Sequence, residues 1–167
     1  MVFLPSLKTL HLKDVKYSSE ESIRRLLSNS PLLEDLLVDL RKRHSMGKLT
    51  FVVPSLQIFS LYIPGDCDID GVVIETPSLK YFKLLDDNRE SHYYLIETMP
   101  NLIAAYLDVK LPDIKSVIAS ITFVKRIAIC SEVVSSTSLN IWSYVDARSI
   151  FRIYLSGYSK TLLPYKT

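Results

Sequence analysis

The chain has 167 residues, of which 48% are hydrophobic and 23% charged, and its formal net charge is +2. This size and composition are typical of one soluble globular domain, and we expect a single domain over residues 1–167. So small a net charge excludes the basic composition of nucleic-acid binders and of proteins held on anionic membranes, so neither partner is expected. The two cysteines, Cys67 and Cys130, are far apart and form no CxxC pair, which favours a reducing intracellular compartment, cytoplasmic or nuclear.

One motif, P-x-L-x-x-L-x-L, recurs along the chain. Its copies begin at Pro5, Pro31, Pro54, Pro77 and Pro100, and two more begin without the proline at Thr122 and Arg148. The three hydrophobic positions are apolar in every copy, and successive copies lie 22 to 26 residues apart. Because side chains alternate along a strand, each copy predicts a short strand whose apolar face only stacking against other copies can bury. A period of about 20 to 29 residues with this pattern is the signature of leucine-rich repeats.

We therefore predict an α/β fold, a leucine-rich-repeat solenoid with a curved parallel sheet of about seven strands and irregular helical or extended returns. The strands should follow one another in space in chain order, because each return is too short to skip a neighbour. Their predicted centres are Leu10, Leu36, Phe59, Phe82, Ala105, Ile127 and Ile153.

The returns between these strands differ from one another. The first, SSEESIRRLLSN, predicts a helix with a capping box of Ser18 and Glu21, and the fifth, PDIKSVIASI, predicts a short helix. The segments KLTFVV and GVVIET look extended and should run along the back of the solenoid. Pro54 and Pro77 then turn the corner to the front strand, where a missing N–H costs no sheet hydrogen bond.

The repeats lack the asparagine or cysteine that usually follows the strand and bonds the backbone of the turn. The corresponding ninth positions are Val15, Arg41, Pro64, Asp87, Lys110, Glu132 and Tyr158. We therefore expect no asparagine ladder, and the backbone groups of these turns must find other partners.

The stretch LPSLKTLHLKDVKYSSEESIRRLLSNSPLLEDLLV resembles the first repeats of plant F-box/leucine-rich-repeat proteins, a family that often carries an FBD domain. TPSLKYFKL and MPNLIAAYLDV resemble its later repeats. The resemblance implies that the repeats select a protein for ubiquitination, while an F-box docks on the Skp adaptor of a cullin ligase. The 167 residues show no F-box and no FBD domain, so we expect a truncated chain that does not bind the adaptor.

No constellation of catalytic residues stands out, so we predict neither an enzyme nor a cofactor nor a metal site. The chain contains no H-E-x-x-H, G-x-S-x-G or glycine-rich phosphate loop. The acidic run DCDID at 66–70 does not have the calcium-loop spacing, and a solvated turn is the favoured interpretation. The basic run RKRH at 41–44 is interpreted as a solvated loop, and Cys130 as a small packing residue.

The residues between the repeat leucines should point outward from the sheet. Toward the C-terminal half, the candidate partner-binding residues are Tyr81, Lys83, Tyr106, Arg126, Arg152 and Tyr154. Tyrosine and arginine are frequent hot-spot residues of protein interfaces, although an open sheet also tolerates them without a partner. Two hypotheses follow. The first is a protein-interaction module like the substrate-recognition repeats of a ubiquitin-ligase receptor, and the second is a truncated, non-functional repeat fragment.

Overall fold

A computed structural model describes residues 3–15, 19–40, 45–88, 92–109, 114–121, 124–130, 150–155 and 158–160. For residues 45, 46, 114–116, 130, 150–155 and 158–160 the description is of the backbone. The elements are β1 (Thr9–Val15), α1 (Glu20–Ser28), β2 (Asp35–Leu40), β3 (Ser45–Val52), β4 (Ile58–Ile63), β5 (Asp68–Glu75), β6 (Tyr81–Asp86), β7 (Tyr93–Ile96), β8 (Ala104–Val109), α2 (Ile114–Ser120), β9 (Arg126–Cys130), β10 (Ile150–Leu155) and β11 (Tyr158–Lys160).

The seven predicted repeat strands form one sheet, which we call the front sheet. Its order is β1-β2-β4-β6-β8-β9-β10-β11, and the first seven strands pair in parallel and in chain order, as predicted. The short β11, which was not predicted, pairs antiparallel with β10. This arrangement confirms the α/β leucine-rich-repeat architecture with its mostly parallel sheet.

The register of the front sheet matches the predicted repeat alignment up to the sixth strand. Leu36 pairs with Phe59, and the same row continues through Phe82, Ala105 and Ile127. In the seventh strand the predicted register is wrong by two residues, because Ile127 pairs with Phe151 and not with Ile153. Both registers place an apolar residue in this row, so alternation along the strand does not distinguish them, although the observed register puts Arg148 in place of Ile150 at the first position of the motif.

Behind the front sheet lies a second parallel sheet, the back sheet, formed by β3, β5 and β7. It contains the two segments predicted to run along the back of the solenoid. Aromatic rings connect the two sheets, since the Phe51 ring centroid lies 4.9 Å from that of Phe59, and Phe59 stacks at 5.9 Å on Phe82. The hydrophobic core therefore lies between the sheets, with side chains from both.

Pro54 and Pro77 occupy one recurring turn that connects a back strand to the next front strand. After each proline, the N–H of the first repeat leucine donates to the carbonyl oxygen of the residue before the proline, which is a β-turn with proline at its second position. These bonds are Leu56 N to Val53 O at 3.2 Å and Leu79 N to Thr76 O at 3.1 Å. The equivalent bonds elsewhere are Leu7 to Leu4, Leu33 to Ser30, Leu102 to Met99 and, without a proline, Val124 to Ile121.

The two helices flank the back sheet, with α1 packed on β3 and α2 packed on β7. The predicted capping box is wrong, because the N-cap of α1 is Ser19 and makes no side-chain capping bond. The Glu21 carboxylate instead accepts hydrogen bonds from the guanidinium groups of Arg24 and Arg25, while Ser18 lies outside the described residues. Neither helix in the described part of the chain is long and apolar enough to cross a membrane.

Candidate functional site

The outward face of the front sheet presents its side chains in rows that run across the strands. Row A contains Thr9, Asp35, Ile58, Tyr81, Ala104 and Arg126. Row B, two residues further along each strand, contains His11, Leu37, Ser60, Lys83, Tyr106 and Ala128. All of these residues are exposed or half-buried, whereas the alternate positions of β2, β4, β6, β8 and β9 are buried, so the predicted alternation is confirmed.

A shallow groove of about 220 Å³ crosses strands β4, β6 and β8 on this face. Ile58 and Tyr81 form its apolar wall, and they are 40% and 43% exposed. Ala104, which faces outward on β8, also lines the groove, and its methyl side chain is smaller than those of its neighbours. Exposed apolar surface beside a depression is typical of a place where a partner side chain can be buried.

The other side of the groove is formed by a cation on an aromatic ring. The Lys83 ammonium nitrogen lies 5.6 Å from the centroid of the Tyr106 ring, which is within the range of a cation–π interaction. The two residues are direct partners in the sheet register. The groove therefore combines apolar, aromatic and cationic groups over three adjacent strands.

The structure brings together three of the six predicted partner-binding residues, since Tyr81, Lys83 and Tyr106 all line the groove. Arg126 is exposed on the next strand and pairs with Ala104. Arg152 pairs with Ala128 in row B, and Tyr154 pairs with Cys130 in the row beyond. Their side chains lie outside the described part of the structure, so their role in this surface stays a prediction.

A buried polar cluster lies between the end of β6 and the start of β7. Asp86 accepts hydrogen bonds from the Tyr94 hydroxyl at 2.6 Å and from the Asn88 backbone N–H at 2.9 Å. The Nε2 atom of His92 lies 3.0 Å from the same carboxylate, and both of these side chains are fully buried. The Asn88 side chain donates to the carbonyl oxygen of Cys67 at 2.8 Å.

This cluster changes the ionisation of two of its members. Burial, followed by the charge and the hydrogen bond of Asp86, raises the pKa of Tyr94 well above its ordinary value. Burial, followed by the charges of the nearby carboxylates Asp66, Asp68 and Asp86, raises the pKa of the Cys67 thiol to about 11. Both groups are therefore neutral near pH 7, and the enclosed cluster supports the fold and offers no accessible reactive group.

Sequence reasoning missed this cluster, although one feature indicated it. Asn88 follows the strand one residue later than the usual ladder asparagine, and it bonds the turn of the preceding repeat as that residue would. The turn of that repeat thus finds another partner, as predicted, in an asparagine displaced by one position from the usual place. The run Asp86, Asp87 and Asn88 was the available sign, but acidic residues after a strand usually mark a solvated turn.

The remaining charged and nucleophilic candidates do not converge. Within the described residues, no three His, Cys, Asp or Glu side chains are placed to hold a metal ion. Asp66, Asp68 and Asp70 of the acidic run are all exposed. The basic run at 41–44 and the Cys130 side chain lie outside the description.

Comparison with known proteins places these repeats among their relatives. The Leucine Rich Repeat family profile matches residues 6–31. The chain is 56% identical over 133 residues to an FBD-associated F-box protein of Arabidopsis thaliana, and 50% identical over 134 residues to an F-box protein of that plant. It is also 41% identical over 150 residues to a putative F-box/FBD/LRR-repeat protein of the same species. No solved structure matches the chain.

These alignments cover most of this chain but a smaller part of each relative. They include 80%, 79% and 83% of the chain, and 32%, 42% and 34% of the respective relatives. The chain thus spans about a third to two fifths of the length of the curated relatives it matches.

Proposed function

The chain is homologous to the F-box/FBD/LRR proteins of Arabidopsis thaliana, and from this relationship we propose that it is a protein-interaction module that binds through the outward face of its front sheet. The observation that carries the proposal is the groove formed by Ile58, Tyr81, Lys83 and Tyr106. It combines two partly exposed apolar side chains with aromatic and cationic groups on rigid neighbouring strands. Rigid, partly exposed tyrosines lose little conformational entropy when a partner covers them.

In its finer form, the proposal is that this surface recognises the protein to be ubiquitinated by a Skp–cullin–F-box ligase. The relatives' names support this role, because both describe F-box proteins and one of them also names LRR repeats. The 167-residue chain by itself is expected not to bind the Skp adaptor, because the repeat strands, and not an F-box bundle, make up its described part. Mixing the chain with purified adaptor tests this expectation, and co-elution in near-equal amounts would contradict it.

The partner-binding surface is tested by affinity capture from plant extract, followed by quantitative comparison of variants. The test variant is the double substitution Tyr81→Ala with Tyr106→Ala, which removes both aromatic rings from the groove. The matched control is Tyr93→Ala, which removes a similarly exposed tyrosine from the back sheet. Circular dichroism establishes that all three proteins are folded to the same extent.

We expect the double substitution to reduce specific capture at least about tenfold, the loss typical of one hot-spot residue, with little change for the control. Equal capture by all three proteins would show that the groove is not the binding surface. The absence of any specific partner would favour the alternative of a non-functional fragment.

A further inference from the structure

The exposed cations of the front sheet are concentrated around one end of the groove. Lys80 lies just before β6 and Lys83 lies within it, while Lys125 lies just before β9 and Arg126 begins it. All four are exposed. Backbone hydrogen bonds connect the starts of β6 and β9 through Ile103, whose N–H donates to the Lys80 carbonyl and whose carbonyl accepts from the Arg126 N–H. These four residues, which we call the cationic quadrant, therefore surround Ala104 on two sides.

No carboxylate in the described part of the chain neutralises the quadrant. Lys80 donates to the neutral amide oxygen of Gln57 at 2.9 Å, and Lys83 lies over the Tyr106 ring. Among the described residues, no carboxylate oxygen lies within ion-pair distance of the quadrant. At the other end of the sheet the situation differs, because Lys8 is bonded to Glu34 at 2.9 Å.

The carboxylates of the same face lie away from the quadrant. Asp35 and Asp39 are on β2, three strands away from Ala104 on β8. Asp108 is on β8 itself but four residues beyond Ala104, which is about 13 Å along a strand. The face is therefore divided into an acidic part at β2 and at the far end of β8, and a cationic part at the near ends of β6 and β9.

We propose that this surface binds an extended segment of a partner protein in which an aliphatic or aromatic side chain lies close to aspartate or glutamate residues. The inference rests on the proposed function and specifies the chemistry of its partner. The apolar side chain packs against Ile58 and Tyr81 above Ala104, and the carboxylates contact Lys83 and Arg126. Three residues of an extended chain span about 10 Å, which matches the two strand spacings that separate Tyr81 from Arg126.

Charge complementarity of this kind selects among partners and increases the association rate, and salt screens it. An acidic segment without an apolar residue would leave the groove empty, and a neutral apolar segment would leave the cations without partners. A basic segment would meet four like charges. Peptides of these three kinds therefore distinguish the proposed recognition from nonspecific binding to an open sheet.

The test is an array of synthetic twelve-residue peptides probed with the purified 167-residue chain. Each peptide contains one leucine or phenylalanine flanked by glutamates, and it is matched by versions with glutamine, lysine or phosphoserine in place of glutamate, and by a version with alanine in place of the apolar residue. Binding is measured for selected peptides by fluorescence anisotropy at about 0.05 M and about 0.3 M salt, where the screening length differs more than twofold.

Two charge-reversed proteins complete the experiment. Lys83→Glu with Arg126→Glu reverses charge within the quadrant, and Lys13→Glu with Lys48→Glu applies the same change of net charge elsewhere. The glutamate peptides should bind the unaltered chain and the control equally, and each should bind roughly five times more weakly or worse when the quadrant is reversed, as expected for lost exposed ion pairs. Binding should also weaken at the higher salt concentration.

Equal binding of the glutamine peptides, or an equal loss with the control protein, would overturn the acidic-partner inference. Preference for phosphoserine over glutamate would replace it with a phosphopeptide site, and absence of all peptide binding would also overturn it. None of these outcomes removes the proposed function, which fails if no specific partner is captured or if Tyr81→Ala with Tyr106→Ala leaves the capture of whole proteins unchanged.

Discussion

The Asn88 side chain donates a hydrogen bond of 2.8 Å from its amide nitrogen to the carbonyl oxygen of Cys67, and this bond joins the turns of two successive repeats. Asn88 follows β6, and Cys67 lies between β4 and β5. Both residues are almost completely buried, with 0% and 1% of their surface exposed. The bond therefore satisfies a carbonyl group at the side of the core where little water is available to replace it.

Replacement of Asn88 by alanine is expected to lower the free energy of unfolding by about 1 to 3 kcal/mol, because a buried carbonyl loses this donor. Asn101 offers a matched control, since its amide donates to the Pro77 carbonyl at 3.0 Å from an exposed position. The Asn101→Ala variant should lose less than about 1 kcal/mol, since water can replace the donor there. Urea unfolding measures both variants, and equal losses would show that the Asn88 bond has no special structural role.

Tyr94 and its neighbour in sequence provide a second comparison. Tyr94→Phe removes the hydroxyl that donates to Asp86 at 2.6 Å and is expected to cost about 1.5 to 3 kcal/mol, the range for hydrogen bonds to charged groups. Tyr93→Phe removes an equal group from a residue that is 44% exposed, and the stability should stay nearly unchanged. Thermal unfolding of the two variants measures the difference. If Tyr94→Phe left the stability unchanged, the Asp86 carboxylate would be satisfied without this hydroxyl.

The buried Cys67 thiol should react slowly with disulfide reagents in the folded protein. Its pKa is raised from 9.0 to about 11, so at pH 8 the thiolate fraction is about a hundredfold lower than for an unshifted thiol. The raised pKa means that the folded protein favours the protonated thiol more than the unfolded chain does. The resulting contribution to the free energy of unfolding is fully present below pH 9 and is lost as the pH rises through about 11. The reaction rate is measured at pH 8 in a Cys130→Ser background, with and without denaturant, and equal rates would contradict the enclosed position.

Because side chains alternate between the two faces of a front strand, substitutions at adjacent positions should affect stability to very different extents. Leu61 is completely buried, and its replacement by alanine should cost about 2 to 5 kcal/mol through lost contacts and a residual cavity. Ser60→Ala, one residue earlier on the outward face, should change stability by less than about 1 kcal/mol. Denaturant unfolding of both variants checks the assignment. A large loss at Ser60 together with a small loss at Leu61 would reverse the two faces of the sheet.

The architecture could be predicted because the sequence carries two periods at once, the two-residue alternation of a strand and the spacing of 22 to 26 residues between repeats. Alternation over two residues identified the outward face that carries Tyr81, Lys83 and Tyr106, and the repeat spacing predicted their order across strands. The depth of the groove could not be predicted, because it depends on Ala104 being small between larger neighbours in the correct register. The register of β10 was wrong for a related reason, since Phe151 and Ile153 offer the same apolar alternation along the strand as Ile153 and Leu155.

The buried cluster as a whole could not be predicted, because its members come from separate parts of the chain. Asp86 contacts side chains or backbone from Asn88, His92 and Tyr94, and Asn88 reaches back to Cys67 across 21 positions of the sequence. No local periodicity connects such residues. A carboxylate in a turn has the same appearance in a sequence whether it is solvated or enclosed, and the distinction arises only when the two sheets pack together.

The two sheets advance along the chain in nearly equal steps, and this restricts how the protein can change in length. From β4 to β6, and from β3 to β5, paired residues are 23 positions apart, as for Ile58 with Tyr81 and Lys48 with Gly71. A single inserted or deleted residue within β5 or β6 would rotate the following side chains from one face to the other and would separate the core rings joined through Phe59. Viable length variants of this segment should therefore add or remove a complete unit of 22 or 23 residues, carrying one front strand and its return together.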